Sequence, residues 1–560
     1  MLQSNSTFIA IAVAIFLAGC AGLGSMEKAL DTVGLSVQPE TLILKGGNVD
    51  VTITGNFPAK YFGKKVILEA TPVLVWEGGE AAFDTEGFQG EDAAGNYSVI
   101  SYEVGKSFTY NSSIPYDAAM EDGAHLELRI RGKKGDSVVD FEPYFLCKGV
   151  ITTPKLVQPD DKFMITADNF KRTMDYTHND EINYDYNSSV VKSSELRTDE
   201  WASMKELFTL AATADSVALS RVTIDAYASP EGEISLNKDL ATDRANSAHR
   251  SLQRELRRVK INSGDDFANL VSHGEDWEGF KELMKASDIS DKDLIIRVLE
   301  MYADKNKREE EIRNIAKTYS EIEDRILPSL RRSMIALDYT VEGYTDEELI
   351  DLSMSAPETL TVEELLYSAT LFGSVNDKYT IYASCAEVHA DDLRGHNNSG
   401  VCLMEMGRRN QAKKAFNKAN SLDANNKAVL NNLGAIARQE GKIDDAEALL
   451  NKAGSSSETS YNKGLVAINL GNYGSAISNM SGYTSVNLAL AKLLKGDAKG
   501  AKTTLQNSND ESAIASYVLA ICCARLDDNA GAKANLDAAL TKDSSLEAKA
   551  KADLEFDGIE

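Results

Sequence analysis

With 560 residues the chain is long enough for several domains of ordinary size, so burying a core is no constraint. Its 86 Asp and Glu against 59 Lys and Arg give a formal charge of −27, which opposes unspecific binding to nucleic acid or to an anionic lipid surface. Six cysteines without metal-ligand spacing exclude a zinc module and argue against a disulfide framework.

Residues 8–18, "FIAIAVAIFLA", are apolar but too short to span a bilayer as an ordinary helix, and they run into Leu17-Ala18-Gly19-Cys20. This segment resembles a bacterial lipoprotein signal peptide, although "MLQSNST" lacks the usual Lys or Arg. The resemblance implies a signal peptide over 1–19, cleavage before Cys20 and lipidation of its sulfur and amine. Three acyl chains hold far better than one, each buried methylene contributing ~0.8 kcal/mol. Residues 20–35 then read as a lipidated linker. No dense acidic run of the kind that resembles a surface-export signal follows Cys20, so the expected placement is lipid-anchored in the outer membrane and facing the periplasm. Of the other cysteines, Cys147, Cys385, Cys402, Cys522 and Cys523 are an odd number, expected as buried thiols.

From 36 to 158, short alternating runs such as "VDVTITG" and "HLELRIRG" stand between Gly, Pro and Asn turn signals. That pattern predicts an Ig-like β-sandwich with no catalytic grouping, serving as a spacer or a protein-contact module.

From 159 to 345 strands and helices mix. In "RVTIDAYASPEG", Val222, Ile224 and Ala226 fall on one strand face and Thr223, Asp225 and Tyr227 on the other. Ser229-Pro230-Glu231-Gly232 has the residues of a type I turn. A helix follows, with Leu240 or Ala241, Ala245, Ala248, Leu252 and Leu256 at helical spacing. Asn237 and Arg244 lie about two turns apart on nearly one face.

The Asn237, Leu240, Arg244 and Ala245 pattern resembles that of the OmpA-like peptidoglycan-binding domain. The resemblance extends upstream to "INYDYNSSVV", as a first strand ending near Asn187, and downstream to "ILPSLRRSMIALDYTV", as the last helix and strand. Residues 274–325 read as a helical insertion, which with "YASPEG" suggests variants found in Bacteroidota. The family's implied function is to grip a stem peptide's diaminopimelate. Arg244 would take its carboxylate, with Asn237, Tyr227 and Asn187 around it. The aspartate the family uses for the ammonium is Ser229 here. A charged hydrogen bond is worth ~1.5 to 3 kcal/mol, so its loss would weaken the site roughly ten- to a hundredfold unless Glu231 or Asp225 compensates. Beyond Arg244, "RANSAHRSLQRELRRVK" carries a basic stripe read mainly as a solvated face.

From 346 to 560 the chain is expected to be all helical. Gly400, Gly407, Ala412 and Ala419 recur as Gly434, Gly441, Ala446 and Ala453, each 34 residues on, with Phe416 matched by Leu450. The offsets of 7 and 12 return in Gly464, Gly471 and Ala476 and in Ala489, Gly496 and Ala501, while a further copy has Asp527 in place of the glycine. This periodicity resembles tetratricopeptide (TPR) repeats, which implies a solenoid whose groove takes a protein partner.

No metalloprotease, Walker or nucleophile-elbow motif is present, and the six histidines are scattered, so no enzyme activity, metal or cofactor is expected. The combined expectation is a multidomain outer-membrane lipoprotein: an N-terminal β-sandwich, a central α/β OmpA-like domain that binds peptidoglycan, and a TPR array that recruits protein. The alternative is an accessory subunit of an outer-membrane assembly, secretion or fimbrial complex, its OmpA-like fold contacting protein instead.

Overall fold

The computed structural model describes residues 22–559, except for the side chains of Asp265 and of residues 316–318. The signal segment and Cys20 lie outside the described residues. Two compact units form: residues up to 167 together with 372 onward, and residues 168–371 between them. The sequence boundaries at 158/159 and 345/346 therefore shift, because residues 159–167 pack with the C-terminal array and the helices Asp346–Ser355 and Val362–Thr370 pack with the central unit.

The N-terminal region is β-rich, its eleven strands joined in one hydrogen-bonded network. Two long antiparallel pairs, Asn48–Phe57 with Lys106–Pro115 and Val66–Trp76 with His125–Lys134, carry most of it. Alternation sends Val51, Ile53 and Tyr110 from the first pair against Leu74 and Leu126 from the second, so the core lies between the pairs. A parallel pairing of Leu42–Lys45 with Tyr144–Ile151 bridges them. Residues 20–35 are not a free linker throughout: Leu23–Lys28 is helical, and Leu23, Met26, Leu30 and Val33 are buried in the β-rich core.

The central unit is a four-stranded sheet of β1 (Thr173–Asn183), β2 (Val217–Ala228), β3 (Ala268–Glu275) and β4 (Arg332–Glu342), in the order β1-β4-β2-β3. Only β2 and β3 are parallel. Helix α1 (Asp199–Thr213) and helix α2 (Ile234–Arg258) cover one face. Helix α2 buries Ala241, Ala245, Ala248, Leu252 and Leu256, the expected stripe with Ala241 inward. On β2, Val222, Ile224 and Ala226 are fully buried. The first strand lies upstream of its expected place, at 173–183, which leaves Asn187 in a loop. The insertion folds as α3 (Trp277–Ala286), α4 (Lys292–Met301), α5 (Lys305–Arg313) and α6 (Ala316–Arg325) around Phe280, Met284, Ile295 and Ile322. The charged residues 305–325 form two helices, with a break between α5 and α6.

The C-terminal array stacks front and rear helices alternately: α7 (Leu393–Glu405), α8 (Arg409–Leu422), α9 (Lys427–Gln439), α10 (Ile443–Ala453), α11 (Ser457–Asn469), α12 (Tyr473–Asn479), α13 (Val486–Leu494), α14 (Ala498–Ser508), α15 (Ala513–Ala524) and α16 (Asn529–Lys542). In the first three pairs the glycine of the front helix admits a large residue from the segment that follows it. A Cβ on Gly400 would meet the Phe416 ring at 2.6 Å, on Gly434 Leu450 at 2.7 Å, and on Gly464 Met480 at 2.4 Å. Gly407, Gly441, Gly471 and Gly496 close the front helices at φ between 73° and 93°, and Asp527 adopts φ 58° at the same step. Cys147, Cys385, Cys402, Cys522 and Cys523 are buried and form no disulfide. Among the described residues, no helix is long and apolar enough to cross a membrane, and no group of His, Cys, Asp or Glu could hold a metal ion.

Candidate functional site

Arg244 and Asn237 do share a face of α2, but that face is buried, and Arg244 is 1% exposed. Three of the five N–H donors of its guanidinium are taken by the chain itself. Nε donates to the Ser188 carbonyl at 3.0 Å, Nη1 to the Tyr227 carbonyl at 2.8 Å and Nη2 to the Asp185 carbonyl at 3.4 Å. The group also lies 5.1 Å from the Tyr184 ring centroid. Burial pushes its pKa down to about 10, so it stays cationic at neutral pH. The fork expected to face a ligand carboxylate is covered by the 185–188 loop.

The turn is tighter than a type I turn: the Glu231 N–H donates to the Ser229 carbonyl, two residues back. Proline's fixed φ suits this three-residue turn. Gly232 then takes φ 95°, and its N–H donates to Glu309 Oε1 of α5 at 2.9 Å, so the insertion caps the turn. Glu231 lies beside Ser229, and one of its carboxylate oxygens is already engaged. Oε1 accepts from the Ser229 hydroxyl and from Arg331 Nη2 at 2.9 Å, and the Glu231 and Arg331 side chains are 7% and 12% exposed. Asn237 Nδ2 donates to the Glu231 carbonyl and to Glu275 Oε1. Asp225 pairs with His273 at 2.6 Å, where Tyr227 stacks on the imidazole. Asn187 is exposed at φ 49°. Thus Arg244, Asn237, Ser229 and Glu231 gather at one end of the sheet, Tyr227 contributes its carbonyl, and Asn187 stands apart. Arg331 and Glu275, which complete this cluster, carried no local sequence signal.

A second site lies on the concave face of the array, and it is occupied by the chain. Residues 158–166 run extended across the front helices. Asn398, Asn432, Asn462 and Asn487 each stand two residues before the small residue of their helix, and each binds the main chain of one residue twice. Its Oδ1 accepts the N–H of Thr166, Met164, Lys162 or Gln158, respectively, at 2.7 to 2.8 Å. Its Nδ2 donates to the carbonyl of the same residue at 2.8 to 3.1 Å. The reading falls on even-numbered residues, as a strand of period two requires. Side chains set the register. Asp161 pairs with Arg438 through two bonds and takes a third from Gln439, the pair being 0% and 5% exposed. Phe163 stacks against Phe416, and Lys162 sits 4.7 Å above the Tyr461 ring. The protein ligand expected in the groove is, in this structure, a stretch of the chain itself.

Residues 393–426 match the tetratricopeptide repeat family. They span α7 and α8, the first pair with the full glycine pattern, so the C-terminal array is a TPR region. No curated protein sequence matches the chain. Among solved structures, the chain is similar to PilF of Pseudomonas aeruginosa, at 15% identity over 38% of this chain and 96% of that one, with a TM-score of 0.28. It is likewise similar to a tetratricopeptide repeat protein of Parabacteroides merdae, at 14% identity over 37% and 89%, with a TM-score of 0.29. Yeast Tom70 matches at 14% identity over 56% and 80%, with a TM-score of 0.24.

Proposed function

We propose that this chain is a non-enzymatic adaptor of the cell envelope, anchored through lipidated Cys20, that uses its TPR array and its central α/β unit to hold proteins together. The strand order β1-β4-β2-β3 and the placement of Asn237 and Arg244 on α2 support an OmpA-like reading of the central unit. The observation that carries the choice of protein over peptidoglycan is the closed state of the cluster. Arg244 spends three donors on backbone carbonyls, and Glu231 is locked to Arg331. Gripping a diaminopimelate would require displacing the 185–188 loop and breaking a buried ion pair, a cost of several kcal/mol before any gain.

One observation favours the other reading, in which the unit binds peptidoglycan: Arg244 is a buried cation with no carboxylate in hydrogen-bond contact, a charge an incoming carboxylate would satisfy. Sedimentation with purified sacculi decides. The adaptor reading expects wild type and Arg244→Ala to stay equally in the supernatant. Sedimentation of wild type that Arg244→Ala abolishes, the variant being shown folded by circular dichroism, would establish the peptidoglycan reading.

A further inference from the structure

The strand in the TPR groove is held as a ligand is held, not as a core strand is. An interior strand buries apolar side chains. This one buries a carboxylate, Asp161, leaves Ile165 53% exposed, and keeps Asp160 and Lys162 about one-third exposed. A buried ion pair roughly breaks even in stability and acts through specificity, so Asp161 with Arg438 fixes register more than it adds hold. Asp160 accepts from the Tyr461 hydroxyl and from Asn487 Nδ2, and the Thr166 hydroxyl donates to Asn398; the asparagine ladder adds main-chain hydrogen bonds of a kind that any extended polypeptide offers. The asparagines are free to do this because their rungs repeat with the helices: Asn398, Asn432, Asn462 and Asn487 occupy equivalent sites, and Val518 takes that place in the last front helix, where the ladder ends.

We propose that residues 158–166 are a displaceable cis occupant of a receptor for extended strands, and that the external ligand is a protein segment carrying an Asp for Arg438 and, two residues on, an aromatic side chain for Phe416. The motif is defined by the occupant the groove already holds, Asp161 and Phe163. Tethering keeps the internal copy in place, since a short leash raises its local concentration into the millimolar range. An external strand sees only the fraction of molecules whose groove is vacated, and its apparent affinity falls by that fraction. The external partner deepens the adaptor reading, but the sacculus experiment tests that reading independently of the groove.

The experiment uses the full described chain and a fluorescent synthetic peptide of residues 157–167, followed by anisotropy. In one variant Lys162, Met164 and Thr166 become proline, which removes three N–H groups that the ladder accepts. In a second, Asp161→Ala weakens the internal strand and leaves the groove intact. Both variants are expected to bind the peptide at least tenfold more tightly than wild type. Adding Arg438→Ala to the second is expected to cancel that gain, as is the use of a D161N peptide. Circular dichroism melts confirm that the array is folded in each. Failure of the peptide to bind either folded variant, equal binding to wild type and both variants, or indifference to Arg438→Ala would overturn the proposal.

Discussion

Arg244 keeps a buried positive charge by converging three carbonyl dipoles on a planar fork, an arrangement that a primary amine cannot copy. Its removal would leave those carbonyls without the donor. Arg244→Ala is expected to lower stability by about 3 to 5 kcal/mol, and Arg244→Lys to recover little of it, read from urea unfolding. Asp180 shows the opposite case. Its Oδ2 is buried without a hydrogen-bond partner, and burial pushes the carboxyl from its ordinary 3.8 up to about 6, against the pull of the Glu181 N–H. The folded chain thus binds this proton more tightly than the unfolded one, so the residue costs stability as pH rises from 3.8 through about 6. Linkage caps the cost at about 3 kcal/mol, and partial solvent screening reduces it to about 1 to 2. Asp180→Asn should therefore stabilise by that amount at pH 7 and confer nothing near pH 4, measured as urea midpoints across that range. At this scale sequence reasoning placed Asn237 and Arg244 on one face, because helical spacing is local. It missed that the face is sealed, because Arg331 lies 100 residues beyond the Glu231 it neutralises.

The helix pairs of the array interlock through size. A glycine inside a front helix is costly by propensity, about 1 kcal/mol relative to alanine, so its presence needs a packing reason. That reason is the rear helix: at Gly434 an added Cβ would stand 2.7 Å from Leu450. Gly434→Val is expected to destabilise by about 3 kcal/mol despite removing a poor helix former, seen as a lowered melting temperature. At the front-helix ends the requirement is a left-handed backbone instead. Asp527 fills it at φ 58°, so Asp527→Gly should stabilise by about 0.5 to 1 kcal/mol in the same assay. These positions were legible as a period of 34 residues because each glycine answers a constraint repeated with the helix pair. The turn after β2 was legible only as a turn. Ser, Pro and Gly suit several turn types, and the cap from Glu309 belongs to an element 77 residues away.

For the whole molecule, the strand through the groove joins the β-rich region to the helical array in one compact unit. The amides of Gln158, Lys162, Met164 and Thr166 donate to the ladder, so hydrogen exchange should find them slow. Asn432→Ala removes the acceptor of the Met164 N–H and one of two donors to its carbonyl, the other being Asn397 Nδ2, and should speed exchange of that amide by the equivalent of about 1 to 2 kcal/mol. The asparagines share the phase of the glycines, so the ladder itself was readable in the repeat. Its occupant was not: residues 158–166 lie more than 230 residues before Asn398 and hold only a short run of ordinary polar and apolar residues.

The even-numbered reading gives the groove segment a parity. Substitutions other than proline at 162, 164 and 166 leave the peptide groups that the asparagines count, so these positions can drift without loss of grip. Removing a single residue between 158 and 166 turns every later side chain to the opposite side and sends Asp161 or Phe163 away from its partner. Removing two keeps the phase. The segment is in this sense checked by length as well as by the identities of residues 161 and 163, and natural or engineered variants of it should differ by even numbers of residues.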